Sequence, residues 1–83
     1  MDERRKRLLY RATHRGTQEA DRLIGGFAEA HLSRLEDGEL ERFEILLDES
    51  DVDLVDWLIG RLPAPKRHDG PLLRRMIDFK NKL

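Results

Sequence analysis

Eighty-three residues make one small domain, with room for a single apolar core and none for a deep cleft with a catalytic apparatus of its own. Charged residues are 40% and apolar ones 39%, and Gly and Pro are scarce, a balance that favours helices over strands. The net charge of −1 argues against generic nucleic-acid binding, and the absence of cysteine excludes disulfides, iron–sulfur ligation and thiolate zinc sites.

The first helix is predicted over about Asp2–Thr13, with Leu8, Leu9 and Ala12 as a narrow apolar stripe among arginines. Next comes Arg15-Gly16-Thr17-Gln18-Glu19, an R-G-x-x-E segment at a helix junction. Gly suits the left-handed backbone just past a helix end. Thr17 suits the N-cap of the following helix, and Glu19 suits its first turn. Arg15 and Glu19 are expected to sit near the junction with their tips free to reach outward. The second helix is predicted over about Gln18–Arg34. Ala20, Leu23, Ile24, Phe27, Ala28, His31 and then Leu35 repeat at helical spacing. Gly25-Gly26 inside it weakens the helix and permits either a close crossing or a kink.

The third helix is predicted over about Asp37–Asp48, with Leu40, Phe43, Leu46 and Leu47 inward and Glu36, Asp37 and Glu39 at its start, where the helix dipole favours acids. The fourth is predicted over about Val52–Arg61, with Ser50 or Asp51 as N-cap. Its core candidates are Leu54, Val55, Leu58 and Ile59, with Trp57 as a packing anchor, and Gly60 and Pro63 close it. Residues 62–70 read as a loop. A fifth helix starts near Gly70-Pro71, carries Leu72, Leu73, Met76 and Ile77 inward, and frays toward its end. The fold class is all-α, a small five-helix bundle in a single domain over residues 1–83.

Charge falls in three blocks: basic over residues 1–15, acidic over 36–56, basic again over 61–83. Such blocks let helices attract one another, or present a polar face to a partner. The acids read as solvated helix faces rather than paired catalytic carboxylates, which need a cleft. His14, His31 and His68 share no metal-ligand spacing. His31 is expected to be partly buried, His68 solvated in its loop, and His14 available for contact beside the R-G-x-x-E segment. No G-x-G-x-x-G and no P-loop is present, so no phosphate cradle is expected. No run approaches the roughly 18 apolar residues of a membrane span. A domain this small without disulfides points to the cytoplasm. By itself, R-G-x-x-E also suits an ordinary helix junction.

The segment does not stand alone. Leu8-Leu9-Tyr10-Arg11 leads into Arg15-Gly16-Thr17-Gln18-Glu19-Ala20-Asp21, and Asp51-Val52-Asp53-Leu54-Val55-Asp56-Trp57-Leu58 follows later. In that order and spacing, over about residues 3–62, the chain resembles the small SdhE-type flavinylation and assembly factors of succinate dehydrogenase. The resemblance implies a five-helix bundle that is not an enzyme. It implies binding to the flavoprotein subunit of succinate dehydrogenase, and in some organisms of fumarate reductase, and promotion of covalent FAD attachment there. No tightly bound cofactor of its own, no metal, no nucleic acid and no membrane insertion are implied. The family's R-G-x-x-E surface maps onto Arg15, Gly16 and Glu19, with Asp21 also matching, and Arg11 and His14 adjoin it. Ala20 stands where a larger apolar residue is usual, and Val52 where proline is usual. A generic helical interaction module and an FAD-binding carrier are the competing readings. Tolerance of the segment to substitution would favour the first, and a flavin titration tests the second.

Overall fold

Five helices follow one another, four of them opened by a side chain that can cap the first turn. The computed structural model describes all residues, 1–83. Helix α1 is Glu3–Thr13, and the Asp2 carboxylate accepts the N–H of Arg5 at its start. Helix α2 covers residues 18–34 in one run: Gln18–Ala20, a wide π turn at Asp21–Gly25, Gly26–His31, and a tight 3-10 turn at Leu32–Arg34. The Thr17 hydroxyl accepts the N–H of Ala20, as its residue type suggests. Helix α3 is Asp37–Leu46, opened by a reciprocal capping box between Glu36 and Glu39. Helix α4 is Asp51–Ile59; Ser50, not Asp51, is its N-cap and accepts the N–H of Asp53. Gly60 ends α4 at a φ of 82°, the one left-handed residue in the chain. Helix α5 is Pro71–Asn81, with Pro71 in the first turn, where its missing N–H costs nothing.

The core sits around Phe27 of α2. Its ring lies 5.9 Å from Phe43 of α3 and 5.9 Å from Phe79 of α5. Leu8 from α1, Ile24 from α2, Leu54 and Leu58 from α4 and Met76 from α5 complete it, all essentially without solvent contact. Each such side chain contributes roughly 1.5–3 kcal/mol by leaving water. Gly25 makes the crossing of α1 and α2 possible. A Cβ there would meet the carbonyl oxygen of Ala12 at 2.9 Å and Cα of Thr13 at 3.1 Å. The Gly pair thus permits close approach, and the wide turn absorbs the change of register. No helix is long and apolar enough to cross a membrane.

One expectation fails outside the R-G-x-x-E segment. His68 is not solvated: its side chain is 4% exposed, its ring lies 5.4 Å from that of Trp57, and its Nε2 lies 3.5 Å from Glu49. The turn at Pro65–Asp69 folds the loop back onto α4, which the Pro-rich composition concealed. The fifth helix continues to Asn81, with Phe79 packed against the core.

Candidate functional site

The junction between α1 and α2 is built from hydrogen bonds that reach far along the chain. At the end of α1 the Thr13 hydroxyl donates to the carbonyl of Leu9. The His14 ring stacks on Tyr10, with ring centres 3.9 Å apart and Tyr10 64% exposed. His14 Nδ1 lies 2.8 Å from the Tyr10 carbonyl oxygen. A carbonyl can only accept, so this bond requires the Nδ1–H form of the ring.

Arg15 does not reach outward, as expected from sequence, but inward. Its side chain in the ion pair is 10% exposed. Nε donates to Asp51 Oδ1 at 2.6 Å, Nη1 to the Leu47 carbonyl at 2.9 Å and Nη2 to the Glu49 carbonyl at 2.7 Å. The turn between α3 and α4 is folded around this guanidinium. Its backbone N–H donates to Asp21 Oδ1 at 2.6 Å, so Asp21 also faces inward, as a support for the junction.

Gly16 is not left-handed, which corrects the reason given for it. Its N–H donates to Asp51 Oδ2 at 2.6 Å, and a Cβ on Gly16 would stand 3.0 Å from that same oxygen. The tightness at Gly16 comes from this proximity, not from backbone twist. Burial alone pushes the Asp51 carboxyl up, but the Gly16 N–H and the Arg15 guanidinium outweigh it and hold the acid below its ordinary value.

Glu19 is exposed, as expected, and has no hydrogen-bond or ion-pair partner within the chain. Arg11 lies beside the junction but spans to the α3–α4 turn, where it donates to Asp48 Oδ1 at 2.7 Å. Two shallow hollows flank the segment. One, of about 360 Å³, is lined by Tyr10, Arg11, His14, Arg15, Gly16 and Asp51. The other, of about 220 Å³, is lined by Thr17, Glu19, Asp51, Val52, Val55, Asp56 and Arg61. Asp51 borders both. From sequence, Asp51 stands out as a candidate helix cap and as the start of the later resemblance motif but not as a partner of the junction, and Tyr10 not as an exposed ring. No cluster of His, Asp and Glu is placed to hold a metal ion. The arrangement offers a polar ridge for contact, with backbone, an unpaired carboxylate and an aromatic edge outward.

Comparison with known proteins gives the ridge a context. Residues 6–80 match the family described as flavinator of succinate dehydrogenase. The chain is 51% identical over 75 residues to the FAD assembly factor SdhE of Acetobacter pasteurianus, covering 90% of this chain and 69% of that protein. It is 46% identical over 61 residues to the mitochondrial succinate dehydrogenase assembly factor 2 of Mycosarcoma maydis, covering 74% of this chain and 26% of that protein. The Candida glabrata protein of the same name is 35% identical, with 95% and 54% covered. The chain thus spans about half or less of these two mitochondrial relatives.

Proposed function

This chain belongs to the flavinator of succinate dehydrogenase family, and from that membership we propose that it is an assembly factor for the flavoprotein subunit of succinate dehydrogenase, promoting covalent attachment of FAD to it. The observation that carries the site is the juxtaposition at the α1–α2 junction of an unpaired, exposed Glu19 with an exposed Gly16 whose N–H is held by Asp51. Gly16 and Glu19 are the groups that meet the partner, flanked by His14, Tyr10 and Arg11. Arg15 and Asp21 hold the ridge from behind. Glu19 accepts charge-assisted hydrogen bonds from donors on the flavoprotein.

The groups that react are the partner's own: a bound flavin and an acceptor histidine. This chain binds no cofactor tightly in the reading offered here, which the lack of a phosphate cradle supports. Its contribution is positional. Holding the flavoprotein in a state where flavin and acceptor are aligned lowers the barrier by several kcal/mol, of the order known for well-oriented intramolecular reactions. Fumarate reductase, with a flavoprotein subunit of the same kind, is a second client in this reading. The cytoplasm is the compartment that fits a cysteine-free chain.

The test is co-expression with a cognate flavoprotein subunit in a host lacking its own factor. Covalent flavin is read by in-gel fluorescence for wild type, Gly16→Arg, Glu19→Ala and empty vector. Fluorescence is expected with wild type and lost with both variants, each retaining wild-type helicity. Equal fluorescence in every lane, with a subunit that a known factor does flavinylate, would leave only a helical interaction module.

A further inference from the structure

We infer that Asp51 is the positioning residue of the docking ridge: its carboxylate fixes the backbone of Gly16 in the pose the partner meets. This rests on the reading of the α1–α2 junction as the surface that binds the flavoprotein.

The two oxygens of Asp51 divide their work between consecutive residues. Oδ1 takes Nε of Arg15 and Oδ2 takes the N–H of Gly16, each at 2.6 Å. Charge-assisted bonds of this kind are about twice as strong as neutral ones. Ser50 already caps α4, so the Asp51 carboxylate is not needed there and is free to turn toward the junction. It stands on the first residue of α4, where the helix dipole favours a negative charge. Its base is rigid as well, since Leu54, one turn on, is fully buried.

The segment between α1 and α2 is anchored on either side of Gly16. The N–H of Arg15 is held by Asp21, its guanidinium by the Leu47 and Glu49 carbonyls, and the Thr17 side chain caps α2. Between them the N–H of Gly16 has Asp51 as its partner. Without that bond the connection samples several backbone poses, and the partner has to freeze one on binding. The tightness at Gly16 and the presence of Asp51 are two halves of one device. The carboxylate stands 3.0 Å from the place a Cβ would occupy, so a side chain there has to push it aside from the Gly16 N–H. A side chain at residue 16 and the loss of the acid at residue 51 therefore do the same damage, which is release of the Gly16 backbone from α4.

That equivalence can be tested by combining variants of the full chain. Affinity for the flavoprotein subunit is measured by titration for Gly16→Ala, Asp51→Asn, the pair together, and Asp51→Asn combined with Glu19→Gln. The Gly16 amide, or the residue 16 amide in the alanine variants, is followed in the free chain by nitrogen-15 NMR and water exchange. Asp51→Asn is expected to keep its helical content, to speed exchange of the Gly16 amide, and to weaken binding about tenfold or more, the loss that fits one charge-assisted hydrogen bond. Gly16→Ala and Asp51→Asn are expected to be strongly non-additive, whereas Glu19→Gln adds to Asp51→Asn in full. Unchanged binding, an unchanged Gly16 amide, or simple additivity of the first pair overturns the inference. Should Asp51→Asn not fold, Asp51→Glu keeps the charge for Arg15 but moves it by one methylene, and the same amide and affinity readouts decide. A wild-type chain that does not bind the flavoprotein defeats the docking reading, while the amide of the free chain still judges Asp51 by itself.

Discussion

Two arginines, Arg5 in α1 and Arg15 just past its end, hold loops rather than facing solvent, and they show how little a residue's type says about its direction. Arg5 donates to the carbonyls of Leu32 and Leu35, tying down the end of α2. Arg15 does the same for the α3–α4 turn through Leu47 and Glu49, and adds the Asp51 pair. Lysine cannot reproduce this, because a point charge on a flexible stem lacks the planar fork that meets three acceptors at once. Arg15→Lys is expected to cost about 2–4 kcal/mol, since it leaves Asp51 and two carbonyls poorly matched in a half-buried place. Arg11→Ala, by contrast, breaks a pair whose side chains are 39% and 71% exposed. Exposed pairs of that kind are worth about 0–1 kcal/mol, so this variant is expected to unfold close to wild type. Urea denaturation of the two variants side by side checks the contrast. Equal midpoints would show that the inward guanidinium contributes no more than a surface pair.

At the level of the helices, what was legible in the sequence was what is local. Thr17, Ser50, Gly60 and Pro71 punctuate the helices where residue type suggests, and the apolar stripes face the core as their spacing requires. The inward turn of Arg15 was not legible, because its side-chain partners lie 32 to 36 residues away. Gly16 was read as a left-handed helix end because a glycine follows a helix; its true constraint, the nearby Asp51, belongs to another element. The same holds for His68, whose burial against Trp57 depends on how its loop folds back onto α4. Gly25 and Gly38 make the distinction measurable, since local propensity treats them alike. Alanine gains about 1 kcal/mol over glycine within a helix. At Gly38, with open space where a Cβ would point, that gain is expected in full or in part as higher stability. At Gly25 the new methyl meets the backbone of α1 at 2.9 Å, and the overpacking, typically about 1–3 kcal/mol, is expected to reverse the sign. Thermal unfolding of both variants decides it. A stabilised Gly25→Ala would mean that α1 and α2 can separate without loss.

Across the whole molecule, the three charge blocks are used mainly to tie the bundle together. Arg4 pairs with Glu44, joining α1 to α3, Arg11 pairs with Asp48, joining α1 to the α3–α4 turn, and Arg75 pairs with Glu39, joining α5 to α3. Most of these pairs are exposed enough to be individually weak, but they bear on how the fold answers acid. The side-chain bond from Arg75 holds the Glu39 carboxyl below its ordinary value of 4.5. The Gly16 and Arg15 donors do the same for Asp51 against the opposing effect of burial, relative to 3.8. His31 is also lowered from its ordinary 6.5, first by burial beside Phe27 and Phe79 and then by Arg75, Arg34 and Lys82. All three have a folded value below the unfolded one, so the unfolded chain binds protons first as the pH falls. Their contributions are complete above the unfolded values and are lost on acidification. Stability is therefore expected to decline in two stages, beginning below about 6.5 as His31 resists protonation and again below about 4.5 as Glu39 and Asp51 do, in line with the linkage of proton uptake to unfolding. Urea midpoints taken from pH 8 down to 3 follow both stages. His31→Gln removes the imidazole, so the upper stage should vanish from it while the lower one remains. If the upper stage persists in His31→Gln, another imidazole must be responsible for it, and burial of His31 between the two phenylalanine rings cannot be what makes this bundle sensitive to mild acid.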